Sequence, residues 1–164
     1  MANPGDRFLC IYMNDHLAIG AGWRELARRA ETANSGTELG SVLHRVATEL
    51  AEDADTLEEM MGRLGLARDP VKPRLAMVGE RLGRLKLNGR LRGYSPLSRY
   101  LELELLTVGI EGKKTLWAAL RDFTRVAERL GDVDFDALIA RAEGQRAALD
   151  PFRAEAGRDT FARD

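Results

Sequence analysis

Leucine, valine, methionine and alanine recur along this chain at intervals of three and four, the spacing that gathers side chains on one face of an α-helix. The clearest stripe runs Leu39, Leu43, Val46, Leu50, Leu57, Met60 and Leu64. Leu9, Met13, Leu17, Gly20, Trp23 and Ala27 make another, and Val71, Leu75, Val78, Leu82 and Leu85 a third. Leu101, Leu105, Val108, Thr115, Ala118 and Ala119 follow, then Leu138, Ala142, Gln145, Leu149, Phe152 and Phe161. The strict alternation of a half-buried strand persists nowhere. The pattern predicts five helices, over residues 4–33, 37–64, 70–87, 96–130 and 134–161.

Punctuation supports those boundaries. Asn3-Pro4, Asp69-Pro70 and Ser95-Pro96 each place a capping side chain before a proline, whose missing N–H costs nothing in a first turn. Ser35 and Glu38 have the spacing of a capping box, with Thr37 as a rival cap, and Asp132 or Asp134 is placed to start the last helix. Asn34-Ser35-Gly36, Gly65 and Gly131 are stop signals. Pro151 is expected to kink or locally end the fifth helix. The third segment is the shortest and carries Gly79, Gly83 and Gly89, each weakening a helix by about 1 kcal/mol relative to alanine. Two long helices, a weak connector and two more long helices is the plan of an antiparallel bundle with one crossover. An up-down-up-down bundle with the fifth helix outside is the less favoured option.

Composition agrees with a single all-α domain over 1–164. Apolar residues are 45% of the chain, charged residues 31% and aromatics only 6%, a palette for helix packing rather than a β-sandwich. The net charge of −1 gives no field to draw the chain onto nucleic acid or anionic lipid. Apolar runs fall well short of the roughly 20 residues of a membrane span. No basic-then-apolar leader opens the sequence, so a cytoplasmic location is expected. Cys10, the one cysteine, sits in an apolar run and is expected to be a buried, inert thiol. His16, on or beside the first stripe, reads as a hydrogen-bonded core or boundary histidine rather than a catalytic base, and His44 as a flanking one. Trp23 and Trp117 read as large core or interface anchors.

Two runs carry a family resemblance: Glu49 to Gly65 in the second helix, with Glu52, Asp53, Asp55, Glu58 and Glu59, and Arg141 to Leu149 in the fifth, with Glu143, Gln145 and Arg146. With the helix plan, they make the chain resemble the ferritin-like superfamily, specifically small bacterial ferritin-like proteins of unknown function related to stress-associated bundles. The resemblance implies a five-helix bundle with a shorter basic crossover segment. Its di-iron members set a Glu on each of two helices and Glu-x-x-His on each of the others. Here neither histidine follows a Glu by three. Glu49 is followed by Glu52 and Asp53, and Glu143 by Arg146, a permanent cation unsuited to ligating metal. The leading expectation is therefore a metal-free bundle without a cofactor, more structural, interacting or stress-associated than enzymatic, and a homodimer. The alternative is a carboxylate-only iron or manganese site drawn from Glu25, Glu49, Asp53, Glu104 and Glu111. Against it stands the expectation that inward carboxylates pair with Arg146 in a buried network.

The connector is the most unusual stretch. Over 70–96, Lys72, Arg74, Arg81, Arg84, Lys86, Arg90 and Arg92 stand against Glu80 alone, while 37–69 holds eight acids against three arginines. One reading is an anion- or nucleic-acid-binding module on the basic segment 72–92, a phosphate, lipid headgroup or nucleic-acid backbone meeting Arg81, Arg84, Lys86, Arg90 and Arg92, with Tyr94 alongside. The favoured reading is a basic segment laid over the acidic second helix. Aromatic interleaving is nearly absent, so a nucleic-acid partner is not expected.

Overall fold

A computed structural model of the chain describes residues 4–69 and 94–162. Among them lie helices α1 (Pro4–Ala33), α2 (Glu38–Arg63), α3 (Pro96–Asp122), α4 (Val126–Arg129) and α5 (Phe135–Phe161), and no strand. The expected third segment, 70–87, falls outside the described residues.

Local chemistry fixes the helix ends. Thr37 caps α2, its hydroxyl accepting the Gly40 N–H at 3.1 Å, so the rival cap prevails over the Ser35–Glu38 box. Gly65, at φ +69°, ends α2 in a Schellman motif, with Leu66 N–H on the Met61 carbonyl and Gly65 N–H on that of Gly62. Ser95 caps α3 through the Ser98 N–H, and Asp134 caps α5 through the Ala137 N–H. Two expectations need correction. The helix expected to run unbroken from 96 to 130 stops at Asp122, because the Thr124 hydroxyl donates to the Leu120 carbonyl and accepts the Val126 N–H. The break turns Val126 and Leu130 into the core and leaves Phe123 outside. At Pro151, expected to kink or locally end the helix, α5 does not end: it continues through the proline, which lies at an exposed turn where water can take the orphaned Ala147 carbonyl.

Side-chain contacts give the topology. Antiparallel to α1 through the tight turn at Gly36, α2 forms one hairpin. Against α1, α3 also runs antiparallel: Arg29 meets Glu102, and Trp23 lies against Gly109 further along. Likewise α5 opposes α2, pairing Glu49 with Gln145 and Glu52 with Arg141, and opposes α3, pairing Lys113 with Gln145 and Tyr100 with Phe161. Thus α2 and α3 point the same way from opposite corners. The chain leaves α2 at the first half of α1, where Asn14 donates to the Ala67 carbonyl at 3.0 Å and accepts the Asp69 N–H at 2.9 Å. It re-enters where the Asn34 amide donates to the Tyr94 hydroxyl at 3.2 Å. Those anchors are roughly 30 Å apart along α1 at 1.5 Å per residue, so the connection crosses from one end of the bundle to the other. The architecture is an all-α bundle with one crossover.

Two apolar cores stack along the bundle. One contains Leu43, Val46, Leu50, Leu103, Leu106, Ile110, Ala142 and Leu149; the other contains Met13, Leu17, Leu57, Met60, Leu116, Trp117, Leu120 and Phe135. All seven residues of the α2 stripe are buried. The expected α3 stripe is not: Val108 is 59% exposed, and the buried face is Glu102, Leu103, Leu106, Gly109, Ile110, Leu116, Trp117 and Leu120. Leucines at 101, 103, 105 and 106 make α3 apolar on several faces, and the larger side chains further on, Ile110, Trp117 and Leu120, decide which face turns inward. In α5 the expected face holds except at Phe161, which is 67% exposed.

Candidate functional site

Between the two cores the inward row of three helices is interrupted at one level. On α2 the row Val46, Leu50, Leu57 carries Asp53; on α3 the row Leu106, Ile110, Trp117 carries Lys113; on α5 Ala142 and Leu149 flank Gln145. Asp53 is 2% exposed and Gln145 3%. One Asp53 oxygen is bound to the Lys113 ammonium and the other to the Arg141 guanidinium. Lys113 also donates to Gln145 Oε1 at 2.5 Å, Gln145 Nε2 donates to Glu49 at 2.8 Å, and Arg141 reaches out to Glu52 at 3.0 Å. This forms a continuous polar layer across the bundle.

The layer satisfies the rule that a buried charge must be paired and hydrogen-bonded. Burial pulls the Lys113 ammonium below its ordinary pKa, and the Arg141 charge acts in the same direction; attraction to Asp53 and Glu49 opposes both without cancelling them. On α1 the same level presents glycine and tryptophan rather than a carboxylate. A second polar cluster closes the far end: Glu102, 4% exposed, accepts from Arg29 at 2.7 Å and from the Tyr94 hydroxyl at 2.8 Å. Burial, then the Glu102 charge, holds the Tyr94 phenol well above its ordinary pKa.

The carboxylates proposed from sequence are scattered. Asp53 is buried against two cations, and Glu49 lies at the edge of the same layer. Glu25 is exposed on α1, and Glu104 accepts from the Tyr100 hydroxyl of its own helix at 3.0 Å. Glu111 pairs with Arg146 at 2.9 Å and Lys114 at 2.9 Å, on a partly exposed flank. Among the described residues no three His, Cys, Asp or Glu side chains are placed to share a metal ion. Arg146 is thus not the cation of the buried network; Lys113 and Arg141 are. Reading the α3 stripe along its larger side chains would have found Lys113 as its one charged interruption between Ile110 and Trp117.

The anion candidates Arg81, Arg84, Lys86, Arg90 and Arg92 lie outside the described residues. Tyr94, expected beside them, has its hydroxyl engaged by Glu102 and Asn34. Cys10 is half-buried rather than buried, its Sγ 3.2 Å from the Ala67 carbonyl oxygen. His44 is exposed against Glu31 at 2.8 Å. His16 packs edge-on to Tyr12, ring centres 4.7 Å apart, and burial lowers its pKa. No helix among the described residues is long and apolar enough to cross a membrane. Compared with family models, with curated proteins and with solved structures, the chain gives no match.

Proposed function

We propose that this protein is a metal-independent helical bundle of ferritin-like plan, with a structural or interaction role in the cytoplasm, in which an internal ion network takes the place of a metal centre. One observation carries the reading. Both oxygens of Asp53, the most buried carboxylate of the layer, are held by cations of the chain itself. A divalent ion there would have to displace Lys113 and Arg141 and would meet their charge at close range. The single crossover, and the order in which the four long helices adjoin, support the ferritin-like plan.

A homodimer fits the surface. Phe8 is 70% exposed and Phe123 87%, and both line one hollow where the start of α1 meets the α3–α4 break. Arg125 and Glu128, which pair with each other at 3.4 Å, line the same hollow, so the patch holds both signs and can complement a second copy of itself about a twofold axis. Sedimentation of the full chain is expected to give a dimer that Phe123→Asp dissociates; a monomer at all concentrations would remove this part of the reading. The metal-independent role is tested by elemental analysis of protein purified from cells supplied with iron and manganese. Substoichiometric metal is expected, and stoichiometric, chelator-resistant metal would overturn the reading.

A further inference from the structure

Two hollows lie end to end along the seam between α1 and α3. One, at the level of the polar layer, is a cleft of about 270 Å³. Trp23, Leu50, Leu57 and Leu116 line it, together with Ile19 and Val108, which are 40% and 59% exposed. The other is the hollow of Phe8 and Phe123. His16 lines the cleft and Tyr12 the second hollow, and the two rings, stacked edge-on, stand between them. The cleft calls for an uncharged occupant. Asp53 and Lys113 on its wall are bound to each other, and burial disfavours the charged form of His16. Cavities of about 150 Å³ admit benzene, so there is room here for an aromatic ring.

The surface of α3 continues this character from one hollow to the other. Val108, Gly112, Thr115, Ala119 and Phe123 follow one another at intervals of three and four, so they share one face, and none is charged. Four of the five are exposed. The charges of this stretch point elsewhere: Lys113 turns inward to Asp53, and Glu111 and Lys114 turn to Arg146 and Glu143 of α5. Val108, Thr115 and Ala119 belong to the stripe whose spacing predicts a buried face. The core takes a different face of α3, and this one is left at the surface.

That face is matched to itself about a twofold axis. Val108 and Phe123 are about 22 Å apart along α3 at 1.5 Å per residue. An axis midway between them passes beside Thr115 and Leu116. With two copies of α3 antiparallel across it, Phe123 of each stands opposite Val108 of the other, and Ala119 opposite Gly112. Phe123, the most exposed large apolar side chain among the described residues, then meets the mouth of the cleft. Both rings are covered and both clefts filled in one closed pair, as an isologous contact requires.

We infer that the α1–α3 cleft receives the Phe123 ring of a second copy of this chain, the two α3 helices lying antiparallel about a twofold axis at Thr115. The inference rests on the dimer proposed above and fixes its register: each Phe123 enters the partner's cleft instead of meeting its own mate.

The test is disulfide trapping in the full chain carrying Cys10→Ser, read by non-reducing electrophoresis after mild oxidation, beside sedimentation of the unaltered chain. A disulfide needs Cα atoms within about 7 Å. Thr115→Cys, next to the axis, is expected to link to its own mate. Phe123→Cys alone is expected not to, since its mate lies about 22 Å away along the helices. Mixed with a Val108→Cys chain, it is expected to give the mixed dimer. Val108→Asp, at an exposed position, is expected to raise the dimer dissociation constant at least about tenfold with the unfolding midpoint unchanged. A dimer in which Phe123→Cys links to itself, or whose dissociation constant ignores Val108→Asp, would overturn this register and leave the dimer standing. A monomer at all concentrations would remove the dimer and the register together.

Discussion

Asp53 and Glu102 are both carboxylates buried inside the same bundle, their side chains 3% and 5% exposed, yet they are neutralised differently. Asp53 lies between two apolar cores and takes a cation on each oxygen, one of them the largely buried Lys113 at 13% exposure. Glu102 lies near the end of the bundle and takes Arg29, 29% exposed, together with a neutral phenol. Between the two cores the Asp53 carboxylate is held by a countercharge on each oxygen, Lys113 and Arg141. Near an end, one guanidinium in contact with solvent and one hydroxyl suffice. The central layer is therefore a constraint on the whole bundle, and the end cluster a local clasp where the chain re-enters at Tyr94.

That contrast orders the expected effects of mutation. Asp53→Asn leaves Lys113 and Arg141 facing each other in the interior, and urea unfolding is expected to show a loss of about 3–5 kcal/mol, as when one partner of a buried pair is removed. Glu102→Gln keeps the shape and the tyrosine contact; with Arg29 able to recover hydration, about 1.5–3 kcal/mol is expected. A loss at Glu102 equal to that at Asp53 would erase the distinction between layer and clasp.

Tyr94→Phe should cost about 1 kcal/mol at neutral pH. Its sharper signature is alkaline. The unfolded phenol ionises near 10.0 while the folded one, raised by burial and by Glu102, keeps its proton. Above that pH the unfolded chain has fewer protons bound, so stability falls as pH rises. Tyr94→Phe is expected to flatten that fall, leaving the smaller contribution of Tyr12, which burial also raises. The smallest effect belongs to Glu111–Arg146, with side chains 43% and 41% exposed: Arg146→Ala is expected to change stability by about 0.2–1 kcal/mol, and less in high salt.

How much could be read in advance follows from the same physics. The α2 stripe was legible because one face is apolar and the others are charged, and all seven of its predicted residues are buried. Gly65, Ser95 and Asp134 act as the sequence indicates because their chemistry is local. The inward face of α3 was not legible by spacing alone, because leucines at 101, 103, 105 and 106 offer competing faces, and the choice is made by packing against α1 and α5. That misplacement hid Lys113 and Glu102 and directed attention to Glu104 and Glu111 instead. Asp53 was visible as a carboxylate in an apolar row; that its partners are Lys113 and Arg141 depends on contacts 60 and 88 residues away in sequence, which no local pattern encodes.

The most direct test of the central layer is a double-mutant cycle on Asp53 and Lys113, read by urea unfolding at neutral pH. If the ammonium is the counterion that makes Asp53 tolerable, Lys113→Met in the Asp53→Asn background removes a stranded cation, and the double variant is expected to be more stable than Asp53→Asn alone. Losses that simply add, leaving the double variant the least stable of the set, would contradict an internal ion network at the heart of this bundle.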